Sequence, residues 1–133
     1  MAEVYQLIYS SRPFGFDEAM LNSILVKARR NNTRDGITGA LVCRHDVFLQ
    51  LLEGDREAVE NTYARIGADD RHADVTQHHG AATAERMFPE WAMRDDPARS
   101  WMWSPQQVAD GAIAKASRDE LLGVFARLAA EPA

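Results

Sequence analysis

Three side chains stand out for the chemistry that their type and place allow. Gln50 lies within VFLQLLEG, the most apolar stretch of the chain, on the same face as Phe48 and Leu52. Burying a primary amide without partners is costly, so Gln50 must have defined hydrogen-bond partners. The two ends of its amide are sterically alike and electronically opposite, one donating and one accepting. Tyr9, near the end of VYQLIYSS, offers a phenol that can donate and accept. Asn32, just beyond a helical pattern, adds a second two-way amide. Each has an ordinary reading when taken alone. Tyr9 would be a core or edge aromatic, Gln50 a satisfied structural amide, and Asn32 a helix C-cap.

Other candidates carry less. Arg71 and His72 read as a solvated loop pair, and His72, His78 and His79 lack a recognisable metal-ligand spacing. Cys43, the single cysteine, excludes an internal disulfide framework and a Cys-rich zinc site. Beside a hairpin turn it reads as a small hydrophobe rather than a nucleophile. Trp91 and Met93, two residues apart, are expected on one strand face. Trp101 and Trp103 would anchor a connecting segment on the sheet or mark an interaction surface.

The elements that must position these groups follow from periodicity. Val4 to Ser10 alternates as a strand, with Tyr5, Leu7 and Tyr9 on one side. Arg12 to Phe16, with Pro13 and Gly15, reads as a loop. Asp17 can cap a helix to about Arg30, striped by Met20, Leu21, Ile24, Leu25 and Ala28. Asn31 and Asn32 suit its C-terminal end. Gly36 to Cys43 and Val47 to Leu52 form a predicted hairpin around His45-Asp46, and the second of these strands is apolar enough to be central. A second helix runs from Gly54-Asp55 to about Ala68, with Ala58, Val59, Thr62, Tyr63 and Ile66 inward. Ala73 to His79 and Trp91 to Arg94 complete a β-α-β-β-α-β-β order.

Right-handed crossovers place both helices on one face of a mixed sheet, a ferredoxin-like α+β fold. After Pro97, Ser104-Pro105 and the capping-box spacing of Ser117-Arg118-Asp119-Glu120 announce a helical pair. Its stripe of Leu121, Leu122, Phe125 and Leu128 is suited to cover the opposite sheet face.

Composition sets the outer limits. A chain of 133 residues has room for one compact domain, and 46% hydrophobic with 26% charged residues excludes a disordered or collagen-like class. The net charge of -5 argues against non-specific nucleic-acid binding, which needs a basic surface. No apolar run approaches the roughly 20 residues needed to span a bilayer, and Met1-Ala2-Glu3-Val4 does not open as a signal peptide does. A cytoplasmic protein without membrane association is the expectation.

The stretches VYQLIYSS, ARRNN with GITGALV, FLQLLEG, DDRH and FPEWAM resemble, in order and spacing, the BLUF family of flavin-binding blue-light sensors, over about residues 3–95. The resemblance implies a flavin, FAD with FMN as the alternative, held between the two helices above the sheet. Ile24 and neighbouring aliphatics would wall the ring. Asn32 matches the position that bonds its polar edge, and Asn31 the variable polar position beside it. Arg71, with Asp69 and His72 nearby, matches positions close to the pyrimidine carbonyl and ribityl chain. Tyr9 and Gln50 match the photoactive pair, and Trp91 and Met93 the alternating residues of strand five.

The chemistry of these groups agrees. A phenol can give up an electron and a proton together to an excited flavin. Rotation or tautomerisation of Gln50 would exchange donor for acceptor and strengthen a hydrogen bond to the flavin carbonyl, shifting absorption to the red. The expected division is a sensor at residues 1–96 and a helical extension at 97–133. Such an extension is too short for an enzymatic output domain. The sensor is therefore expected not to turn over a substrate, and to signal to a separate protein or through a homodimer. A flavin oxidoreductase and a light-independent ligand-binding or dimerisation module are the competing classes. The first would need paired acid/base groups, which the sequence does not offer; the second would never take up flavin.

Overall fold

The computed structural model describes residues 4–13, 18–68, 72–97 and 101–131, with the backbone alone at 72–73 and 95–97. Strands β1 (Val4–Pro13), β2 (Thr38–Arg44), β3 (Val47–Gly54), β4 (His72–Thr83) and β5 (Arg94–Pro97) form one sheet in the order β4-β1-β3-β2-β5. Its first four strands pair antiparallel, and β5 joins β2 in parallel. Helices α1 (Glu18–Asp35) and α2 (Arg56–Gly67) lie on one face; α3 (Pro105–Ala109), α4 (Ala112–Lys115) and α5 (Arg118–Ala129) follow the sheet. This is the expected ferredoxin-like α+β architecture with a C-terminal helical cap.

Strand β3 is central, and all eight of its residues are buried. Its alternation serves two cores. Phe48 and Leu52 pack with Leu7, Ile24 and Val59 toward α1 and α2. Val47, Leu49 and Leu51 pack with Ile8, Ile113 and Phe125 toward α4 and α5. Gly39 is required where β2 passes β3, because a Cβ there would collide with the Leu51 carbonyl.

The helix ends follow local chemistry. The Asp55 side chain accepts from the Ala58 amide, and Ser104 and Ser117 each form a full capping box, with Gln107 and Glu120. The cap stripe gains Val124, which is buried where Leu122 is only partly so. Trp101 and Trp103 pack partly buried against this core, and the Arg127 guanidinium lies 4.2 Å over the Trp101 ring.

Several boundaries differ from expectation: β2 starts at Thr38, β3 runs to Gly54 and β4 to Thr83, and the expected C-terminal helical pair is three helices. Helix α1 continues past Arg30 to Asp35, so Asn31 and Asn32 are helical rather than capping. Gly36, at φ +71°, takes the left-handed position just after the helix end. Strand β1 extends through Arg12 and Pro13, where a loop was expected, by pairing with Ala73 and His72 of β4. Proline is tolerated there because it ends the strand. The last strand begins at Arg94 instead of spanning Trp91 to Arg94. A turn bond from the Trp91 amide to the Phe88 carbonyl, 3.2 Å, holds the preceding residues out of the ladder. The predicted Asp17 cap lies outside the described residues.

Candidate functional site

Tyr9 and Gln50 are direct partners in the β1–β3 ladder, so their side chains emerge side by side on the α1/α2 face. Tyr9 is fully buried and Gln50 is 5% exposed. The Tyr9 hydroxyl donates to Gln50 Oε1. The other end of that amide, Nε2, donates to Met93 Sδ at 3.2 Å. Sulfur is a weak acceptor, so this end of the amide is held less firmly than the oxygen. The Tyr9 ring packs against Tyr63 with centroids 5.4 Å apart. Burial pushes the Tyr63 phenol above its ordinary value, while a backbone hydrogen bond at Gln77 pulls it down.

Tyr9, Gln50 and Met93 form the inner wall of a cavity of about 430 Å³ between the two helices and the sheet. Helix α1 contributes Ile24, Lys27, Asn31 and Asn32, and α2 contributes Thr62, Arg65 and Ile66. Leu41, Leu52 and Met93 close the sheet side. Apolar walls with a few converging amides and hydroxyls suit a planar ring with one polar edge, and the volume falls in the range of ligand pockets. Asn32, 2% exposed, donates from Nδ2 to the Ala92 carbonyl at 2.8 Å. Arg29 Nε donates to the Met93 carbonyl at 3.1 Å.

Cations stand at the same cavity. Arg65 Nη2 donates to Thr62 Oγ1 and to Asp35 Oδ2, both at 3.0 Å, tying the last turn of α1 to α2. Hydrogen bonds from Arg34 and then Arg65 bring the Asp35 carboxyl down to about 2.

The structure thus gathers Tyr9, Ile24, Asn31, Asn32, Gln50 and Met93 from among the sequence-predicted residues. Trp91 does not join them. It is 39% exposed while Met93 is 1% exposed, so the two do not share a face. Strand alternation does not apply before β5 begins, and the Trp91 carbonyl instead accepts from the Gly39 amide at 3.0 Å. Asp69 and Arg71 lie outside the described residues, as does the His72 side chain. His78 bonds Ser10 Oγ at 2.6 Å, away from this cavity. Among the described residues, no three His, Cys, Asp or Glu side chains gather as metal ligands. No described helix is long and apolar enough to cross a membrane.

Lys27, Thr62 and Arg65 also line the cavity; of these the sequence placed only Thr62, as an inward residue of its helix and not as a site residue. Lys27 follows Ile24 by three residues and precedes Asn31 by four, so it belongs to the stripe already assigned to the wall. On α2, Thr62 precedes Arg65 by three residues and Ile66 by four, the same helical spacing.

Comparison with known proteins places this geometry in a family. Residues 4–94 match the family model BLUF, described as sensors of blue-light using FAD. A photoactivated adenylate cyclase subunit beta of Euglena gracilis is 45% identical over 74 residues, which cover 55% of this chain and 9% of that protein. The chain therefore corresponds to a small part of the length of such relatives. The dark-state structure of BlrB, a BLUF protein, superposes with a TM-score of 0.79 at 27% identity, covering 98% of both chains. A structure of Klebsiella pneumoniae BlrP1 with FMN and cyclic diGMP gives 0.70 at 29% identity, covering 93% of this chain and 34% of the other. With its family match running from the first strand to the last, this chain belongs to the BLUF family of blue-light sensors.

Proposed function

We propose that the chain binds a flavin non-covalently between α1 and α2 and converts blue light into a rearrangement of Tyr9 and Gln50. The observation that carries this reading is the buried series Tyr9 hydroxyl, Gln50 amide and Met93 sulfur along one wall of the cavity. The cavity's apolar walls and polar side chains fit the faces and edge of an isoalloxazine ring. When bound, a flavin supplies absorption in the blue and a strongly oxidising excited state.

The chain's own groups do the rest. Tyr9 is the electron and proton donor, its proton already directed at Gln50 Oε1. Gln50 records the event: rotation or tautomerisation of its amide exchanges donor and acceptor ends and gives up the weak Nε2 contact to Met93. Met93, rather than Trp91, is the residue that senses Gln50. Asn32 and Asn31 serve the ring's polar edge, and Ile24 its apolar face. Asp69, Arg71 and His72 are assigned to the pyrimidine carbonyl and ribityl side on the family motif alone.

FAD is the flavin named for the family, and FMN accompanies BlrP1. We assign FAD with FMN as the alternative. The family match over residues 4–94 supports a sensor at 1–96, followed by a helical extension at 97–133. The sensor itself has no catalytic role in this reading, and its output passes to a separate protein or a dimer partner. The decisive experiment is a light-minus-dark absorption spectrum of the flavin-loaded protein. A reversible red shift of the flavin band is expected, and its absence would overturn the reading.

A further inference from the structure

Segment 88–94 touches both layers that flank the sheet. On the cavity side, Asn32 Nδ2 holds the Ala92 carbonyl, Arg29 Nε holds the Met93 carbonyl, and Gln50 Nε2 reaches Met93 Sδ. On the cap side, the Phe88 ring meets Phe125 of α5 edge-on, with centroids 6.5 Å apart and planes at 89°. At the other end of the segment, Arg94 Nη1 donates to the Leu128 carbonyl at 2.9 Å.

The placement of Arg94 has a physical basis. It begins β5, directly after Met93, and its side chain runs to the cap while Met93 sits against Gln50. It is 4% exposed, unusual for a cation unless it is bonded. The carbonyls in the last turn of a helix lack intrahelical partners, and a positive charge there is favoured by the helix dipole. The Leu128 carbonyl also accepts from the Glu131 amide at 3.0 Å, so the guanidinium adds a charged donor to an oxygen that backbone amides already bond.

We propose that Arg94 is a positioning residue that carries the state of Gln50 to the last turn of α5. Release of Met93 Sδ by Gln50 Nε2 lets the backbone at 92–94 move, and the next side chain in sequence takes that movement to the Leu128 carbonyl. The last turn of α5 then loosens in the light. This rests on the photosensor reading above, and it adds to it the residue through which the output helix is addressed.

The test is hydrogen exchange of the flavin-loaded full chain, in the dark and under blue light, with the absorption shift followed in the same samples. Wild type should show exchange rising several-fold in the light at residues 126–131. Arg94→Met keeps much of the side-chain volume and removes the donor. It should raise dark exchange at 126–131, erase the light–dark difference there and leave the red shift in place. Arg94→Lys, whose ammonium can reach one carbonyl, should restore part of the difference. A merely structural role would raise dark exchange and leave the light–dark ratio at its wild-type value, and that result overturns the proposal. Should Arg94→Met fail to fold, Arg94→Lys decides: a reduced ratio supports transmission and an unchanged one refutes it. A wild-type red shift without any light-dependent exchange in α5 defeats this proposal alone. A wild type with no red shift defeats the photosensor reading and the proposal with it.

Discussion

The Tyr9 hydroxyl donates to the amide oxygen of Gln50, its direct partner across the β1–β3 ladder. Both side chains are buried, so the bond satisfies polar atoms that water does not reach. The contact also fixes the orientation of the amide, because a hydroxyl that donates to Oε1 leaves Nε2 directed at Met93. Tyr9→Phe and Gln50→Leu should each retain flavin and lose the light-induced red shift. Difference spectra of the two purified variants check this, and a normal photocycle in either removes that residue from the assigned pair.

Glu53 is fully buried at the end of β3 and accepts from Gln6 Nε2 at 3.1 Å and from the Met87 and Phe88 amides at 2.6 and 2.9 Å. Nearby, Arg86 donates to the Thr38 hydroxyl and the Gly36 carbonyl, both at 2.9 Å. Together these bonds anchor the start of the segment that leads to Met93. Glu53→Ala should destabilise the protein by about 1–3 kcal/mol for each buried donor left without a partner. Urea unfolding of wild type and variant measures the loss, and equal midpoints would show that the anchor is dispensable.

Phe125 is fully buried between α5 and the sheet and meets Phe88 edge-on. Phe125→Ala should cost about 3–5 kcal/mol in unfolding free energy. Because the proposed flavin cavity lies on the other face, the amplitude of the red shift should survive at temperatures where the variant remains folded. A lost red shift in folded Phe125→Ala would mean that the two faces are not separable.

Burial lowers the proton affinity of His78, and burial followed by the charge of Arg118 lowers that of His79. Both folded values therefore lie below the ordinary 6.5. Below that pH the unfolded chain binds more protons than the folded one, so stability is full above it and declines as pH falls toward the lowered folded values. Unfolding midpoints should drop on acidification from neutral pH, and His78→Gln with His79→Gln should flatten the slope. An unchanged slope in the double variant would assign the acid sensitivity to other groups.

How much of this was legible in the sequence depended on whether the governing contact was local. Strand alternation, strictly two-fold, set Tyr9 with Leu7 and Gln50 with Phe48 and Leu52; that the two side chains meet across 41 residues came from the family resemblance alone. The caps at Ser104 and Ser117 were readable because the partners lie three residues away. Asn32 looked like a helix end because asparagine often is one. Its actual partner, the Ala92 carbonyl, is 60 residues distant, and Gly36 supplies the left-handed residue instead. Trp91 was misplaced because the onset of β5 is set by its pairing with β2, Ala40 opposite Arg94, which local pattern does not encode.

The burial of all eight residues of β3, its large apolar side chains divided by parity between two cores, bears on how such a protein can change over time. Substitutions at Val47, Leu49 and Leu51 are felt by the cap, and those at Phe48 and Leu52 by the helices around the cavity. One surface can therefore be refitted to a new neighbour while the residues that line the cavity on the reverse side keep their packing. Slippage of the strand by a single residue would exchange the two sets at once. Innovation along this strand is confined to every second position.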